Sequence, residues 1–145
     1  MARALDLDAN ILVRAVLGRR VLTILETYAG HVHFLAPEIA FTDVRLHLPD
    51  ILAKRGLPRE AVAQLTDEVL GPLPGLVAPV PHHVYAEGEM EARRRLAGRD
   101  EADWPFIALA LALGCPIWTE DRDFFGSGVA TWTTDRVDIY LRADG

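Results

Sequence analysis

Apolar positions along the chain recur with two spacings, and the changes between them predict the elements. Ala2 to Leu7 alternates and is apolar enough for a short buried strand, with Asp8 at its end. A helix is expected from Ala9 to Leu17, with Gly18 as its stop. Val21, Ile24, Leu25 and Tyr28 follow at i, i+3, i+4 and i+7, the stripe of an amphipathic helix closed by Gly30. HVHFLA, residues 31–36, reads as a second strand. Pro37 stands where a helix accepts its first residue. The stripe that follows is Ala40, Val44, Leu48, Ile51 and Leu52, and Pro49 inside it predicts a kink or two short helices.

The second half repeats this alternation. Pro58 opens a helix with Val62, Leu65 and Val69 inward and Gly71 at its end. GLVAPV is a third strand, kept brief by Pro79. HHVYAEGEMEARRRLAG is expected to be a helix with Val84, Ala92 and Leu96 on one face. In DWPFIALALALG, Ile107, Leu109, Leu111 and Leu113 alternate as in a strand. Their partners are alanines, and Ala and Leu are strong helix formers. With Pro105 in the first turn and Gly114 at the end, a buried helix is the better reading. PIWT and VATWTT are the last two strands. Strands alternating with helices predict an α/β fold with a mostly parallel central sheet. Short apolar strands need cover on both faces, hence three layers, α/β/α.

Composition narrows the picture. A chain of 145 residues, half apolar and a quarter charged, is expected to form a single domain over 1–145. The single cysteine, Cys115, excludes an internal disulfide and a multi-cysteine zinc site, and it fits a reducing cytoplasm. The apolar stretch at the N-terminus is short and broken by Asp6, Asp8 and Asn10, which argues against a signal peptide or membrane span. A net charge of −6 speaks against a protein that coats nucleic acid, but not against a nuclease whose acids hold a cation. The bases are unevenly placed: Arg14, Arg19 and Arg20 lie early, and Arg93, Arg94, Arg95 and Arg99 form a compact group. Such runs meet phosphates in some proteins and form solvated helix faces in others.

The acids carry the chemistry. In open α/β sheets ligands bind beyond the carboxyl ends of the strands. Asp8 ends the first strand, and Asp121 and Asp123 follow PIWT. Asp103 opens the buried helix, and Asp43 lies one turn into the helix after the second strand. Each has a plain alternative: Asp8 and Asp103 as helix caps, Asp43 as a polar face residue, Asp121 and Asp123 as turn formers. Together at one pole, such carboxylates repel and need a cation among them. Hard oxygen ligands select Mg²⁺ or Mn²⁺ over zinc.

These residues resemble a known family. DANIL from Asp8, the acid in PEIAFTD, RDEADWPFIALALALGCPI and TEDRDF look like the PIN domain, the ribonuclease fold of VapBC-type toxins. The match runs in order across nearly the whole chain. Its most specific part is Asp103 before an Ala/Leu helix, then a strand, then T-x-D. The resemblance implies a PIN-like fold and a metal-dependent endoribonuclease. Asp8, Asp43, Asp103 and Asp121 would be its catalytic acids, and Asp8, Asp103, Asp121 and Asp123 its ligands to Mg²⁺ or Mn²⁺. Asn10 and Thr119 would support them. The family's second acid is usually Glu, and this chain offers Asp43 or the earlier Glu38. Arg14, Arg95 and Arg99 are candidate contacts to an RNA substrate. An antitoxin partner and a homodimer are further implications. Two other readings stay open: a PIN-like RNA- or protein-binding module that cuts poorly, and a metal-dependent phosphatase using Asp6 and Asp8 as a D-x-D pair.

Overall fold

The computed structural model describes residues 3–143, so the expected strand start at Ala2 lies outside the described residues. Strand β1 (Arg3–Leu7) leads into α1 (Ala9–Leu17) and α2 (Arg20–Tyr28). Strand β2 (Val32–Pro37) leads into α3 (Glu38–Lys54), α4 (Arg59–Leu70) and the short α5 (Leu73–Leu76). After β3 (Ala78–Val80) come α6 (Glu89–Arg95) and α7 (Trp104–Leu113), then β4 (Ile117–Trp118), β5 (Thr131–Trp132) and α8 (Val137–Arg142). The strands form one sheet in the order β3-β2-β1-β4-β5, and every pairing among the described residues is parallel.

Strand order follows from the crossovers. The chain steps outward from β1 to β2 to β3, then returns to lay β4 on the other side of β1. Right-handed crossovers therefore place α1 to α5 on one face and α6 and α7 on the other. This is a three-layer α/β/α arrangement. The reversal leaves a switch point between β1 and β4, where open α/β sheets form their ligand crevice. Asp6 pairs with Ile117 and Leu7 with Trp118, so Asp8 and Thr119 emerge together at that crevice.

Helix α7 is buried from Trp104 to Ala110. It packs on β1 and β2. Gly114 closes it at φ 65°, the left-handed conformation that only glycine adopts without strain.

The expected elements need four corrections. Helix α3 runs unbroken from Glu38 to Lys54 through Pro49, not as two short helices. Proline there removes one amide bond, that to the Arg45 carbonyl, and the rest of the ladder carries the helix. The expected helix from His82 splits into two 3₁₀ turns, His82–Val84 and Ala86–Gly88, before α6. Tyr85, not Val84, turns inward: Tyr85 is 2% exposed and Val84 39%. Tyr85 packs against Trp104, and side-chain-free Gly88 lies against Ala108. In α4 it is Val62, Thr66 and Leu70 that are buried, while Leu65 and Val69 are half-buried. Two helices lacked a readable signal. Helices α5 and α8 span four and six residues, too few for a periodic stripe to show.

Candidate metal centre

Four carboxylates from three segments gather at the switch point. Asp8 follows β1, Asp103 ends a 3₁₀ turn that runs into α7, and Asp121 and Asp123 lie in the loop after β4. Asp103, Asp121 and Asp123 each bring an oxygen within 4.8 Å of the others. Asp8 stands beside this trio, and its charge helps raise the Asp103 pKa.

Neither Asp8 nor Asp103 caps its helix, although each occupies the N-cap position. The Asp8 carboxylate instead accepts a 2.8 Å hydrogen bond from the Thr119 hydroxyl. That hydroxyl in turn accepts the Asp121 amide at 2.9 Å. Thr119 is fully buried, so one side chain ties the end of β1 to the loop after β4. Asp121 uses Oδ1 to accept the Asp123 amide at 2.9 Å, which shapes the turn. The turn and the acid cluster are thus the same structure. Asp100, not singled out from the sequence, caps the turn before α7 by accepting the Ala102 amide at 3.0 Å.

Electrostatics register the crowding. Burial pushes the Asp103 carboxyl up to about 7, reinforced by Asp100, Asp8, Asp121 and Asp123. Asp8 is also raised, chiefly by burial and further by Asp121, against the lowering effect of Thr119 and of the Ala9 and Asn10 amides. Among the described residues no Lys, Arg or His pairs with Asp8, Asp103, Asp121 or Asp123. An oxygen-only donor set with unneutralised charge suits a hard divalent cation.

The PIN domain family model matches residues 7–142. The chain belongs to the PIN domain family. Its fold is similar to that of a chain in the crystal structure of VapBC2 from Rickettsia felis bound to a DNA fragment from their promoter. There the TM-score is 0.70 at 13% identity, with 90% of this chain and 98% of that chain covered. It is also similar to a chain in the structure of FitAB bound to IR36 DNA fragment, with TM-score 0.61, 18% identity, and 97% and 98% covered. At these identities the likeness is one of fold. No curated protein matches the sequence.

The remaining candidates occupy varied places in this PIN domain. Asp43 is exposed on α3 and lies outside the trio. Glu38, in the first turn of α3, is nearer the pole, about 7.5 Å along the helix axis from Asp43. It too is exposed, and its charge helps raise the Tyr85 phenol, after burial. Asn10 is exposed, with its backbone amide toward Asp8.

Arg95 and Arg99 hold the acid-bearing loop. Arg99 donates to the carbonyls of Asp123 and Phe125, and Arg95 to that of Ser127. Gly126 and Gly128, at φ 81° and 87°, let the loop wrap against these guanidiniums. A Cβ on Gly128 would collide with Arg95 Nη1. FFGSG carried this signal as a glycine pair, but nothing local named the arginines as its partners. Arg93 and Arg94 pair with Glu89 and Glu91 on their own helix, as a solvated face does. Cys115 is buried, and burial pushes its thiol up to about 12, a core residue rather than a nucleophile.

Thr119→Val keeps the shape and removes both hydroxyl bonds. Losing a partner of this kind typically lowers metal affinity about 10–100-fold. Calorimetric Mn²⁺ titration should show that loss, with Thr119→Ser retaining most of the affinity. Equal affinity in Val and wild type would mean that Asp8 is positioned by something else.

Proposed function

We propose that this PIN domain is a metal-dependent endoribonuclease that hydrolyses RNA phosphodiester bonds at the switch-point acids. The observation that carries this reading is the convergence of Asp103, Asp121 and Asp123 oxygens within 4.8 Å, with no salt bridge to any of these carboxylates among the described residues. Asp103, Asp121 and Asp123 would hold Mg²⁺ or Mn²⁺, with Asp8 completing the site. When bound, such an ion polarises the phosphodiester and makes water a better nucleophile. The protein's own residues bind and orient. Thr119 sets the Asp8 carboxylate, Asp121 shapes the turn that presents Asp123, and Arg95 and Arg99 brace the loop from behind.

The protein is further proposed to act as the toxin of a toxin–antitoxin pair in the cytoplasm, as a homodimer with an antitoxin partner. The fold likeness to chains of VapBC2 and FitAB supports the antitoxin partner. No described helix is long and apolar enough to cross a membrane.

Incubating the purified chain with end-labelled RNA, with Mn²⁺, Mg²⁺ or chelator, tests the chemistry. Cleavage that needs a divalent ion and stops with chelator is the expected result, and cutting unaffected by chelator would refute it. A second reading, an RNA- or protein-binding module that cuts poorly, is favoured by the position of Asp43, exposed on α3 and outside the trio, which leaves Glu38 as the other candidate for the second acid. It predicts metal and RNA binding with intact RNA. The phosphatase alternative loses its footing on burial: Asp6, half of the D-x-D pair, is 0% exposed.

A further inference from the structure

Between the later part of α1, the start of α2 and the end of α3 lies a cavity of about 270 Å³. Arg14, Arg19, Arg20 and Arg55 line it, together with Thr134. No carboxylate lines it. Of the four arginines only Arg20 has an acidic partner among the described residues, Asp135 at 2.9 Å, and that pair is open to solvent. The chain as a whole carries 21 acids against 15 lysines and arginines. Four bases around one small cavity therefore run against the overall balance. Like charges so placed repel, and an anion among them removes the repulsion.

The cavity is tied to the acid pit. Thr134 donates its amide to Glu120 Oε1 at 2.7 Å, and its hydroxyl accepts from the Trp118 indole at 3.1 Å. Glu120 lies between Thr119 and Asp121, so this wall of the cavity is fastened to the segment that orders the acids. Helix α1 is the second link. It begins beside Asp8, and Arg14 lies six residues further on, about 9 Å along the axis. Val13, Leu17 and Val21 also line the cavity, so its polar lining is the arginines and Thr134. Guanidinium forks match phosphate oxygens in bidentate fashion. The volume is below the roughly 300–1,000 Å³ of pockets that take whole drug-sized ligands, and it suits a phosphodiester group.

We infer that this arginine-lined cavity is a phosphate site that seats the backbone of the single-stranded RNA substrate to one side of the cut. The inference rests on the nuclease reading for its ligand, and on the cavity alone for its place.

The test uses the full chain and a fluorescein-labelled single-stranded RNA oligonucleotide in chelator, where nothing is cut. Arg14→Ala with Arg55→Ala should weaken binding at least tenfold. It should also lower the slope of log affinity against log salt by about 0.7 for each phosphate that is no longer neutralised. The same pair should leave calorimetric Mn²⁺ binding and hydrolysis of bis(p-nitrophenyl) phosphate, too small to span both sites, unchanged. With long RNA, KM should rise and kcat hold. Both residues are exposed, so the variants should melt as wild type does, and Arg55→Glu should weaken binding further.

RNA affinity and salt slope unchanged in the double variant would overturn the site, even if Mn²⁺-dependent cleavage is found. Weakened RNA binding in a chain that never cleaves would uphold the site and sink the nuclease reading instead. Binding lost equally for RNA and for inorganic phosphate used as competitor, with no change in salt slope, would mean a free-anion site and overturn the proposal.

Discussion

Asp103→Asn should reduce divalent-metal binding below detection and cut RNA cleavage by roughly a thousandfold, the scale of losing one preorganised electrostatic group. Asn keeps the size of the side chain but cannot supply the charge. Asp103 is the residue on which the cluster converges: burial raises it to about 7, and Asp100, Asp8, Asp121 and Asp123 all add to the shift. Its proton therefore competes with the metal. Mn²⁺ affinity of the wild type should climb with pH until about 7 and then level off, because only the ionised carboxylate is a ligand.

The stability of the metal-free protein runs the other way. Between the ordinary value of 3.8 and about 7 the folded state keeps a proton that the unfolded chain has released. Stability thus falls as pH rises through that window. Asp103→Asn removes this contribution, so the metal-free variant should lose less stability across the same window. Calorimetric titrations on either side of pH 7 read the first effect, and urea melts across the window from 3.8 to about 7 read the second. A variant that binds Mn²⁺ as the wild type does would place the metal elsewhere.

Asp6→Val should make the protein more stable by about 1–3 kcal/mol, the range for a buried polar group without partners. Asp6 lies on the central strand, fully buried, and neither carboxylate oxygen has a hydrogen-bond partner. Burial, and then the charge of Asp8, hold its pKa well above the ordinary range and favour the protonated form. Valine is of similar size and suits a strand. The gain should appear as a higher urea midpoint with an unchanged m-value. It should be larger at neutral pH than in acid, since the unfolded chain releases this proton above 3.8 while the fold retains it. Asp6→Asn cannot ionise either, so it should share the part of the gain that grows with pH, but it buries an amide with the same unmet needs and should bring no gain in acid. A less stable Asp6→Val protein would show that the carboxyl is worth more to the fold than its missing partners suggest.

Much of the architecture is legible in local pattern. The Ala/Leu run between Pro105 and Gly114 becomes the buried α7, and the short apolar runs become β1, β2, β3, β4 and β5. Where the reading slips, a neighbour from far along the chain decides. Tyr85 turns inward in place of Val84 because Trp104 lies there to pack against. Arg95 and Arg99 sit in a run that looks like a solvated face, yet they brace carbonyls some 24 to 32 residues away. Asp6 alternates correctly for a strand, but its burial follows from cover on both faces of β1.

The order of the five strands and of the longer helices between them, the three layers and the presence of acids at the carboxyl ends of the strands were determined by the sequence, because side-chain periodicity and glycine and proline stops act within a few residues. Which acids meet was decided by the tertiary structure. It is the return of the chain that sets β4 beside β1, and with it Thr119 within reach of Asp8 across 111 residues, while Asp43 stays outside on α3. Strand neighbourhood is a property of the whole packed sheet, and no local spacing encodes it.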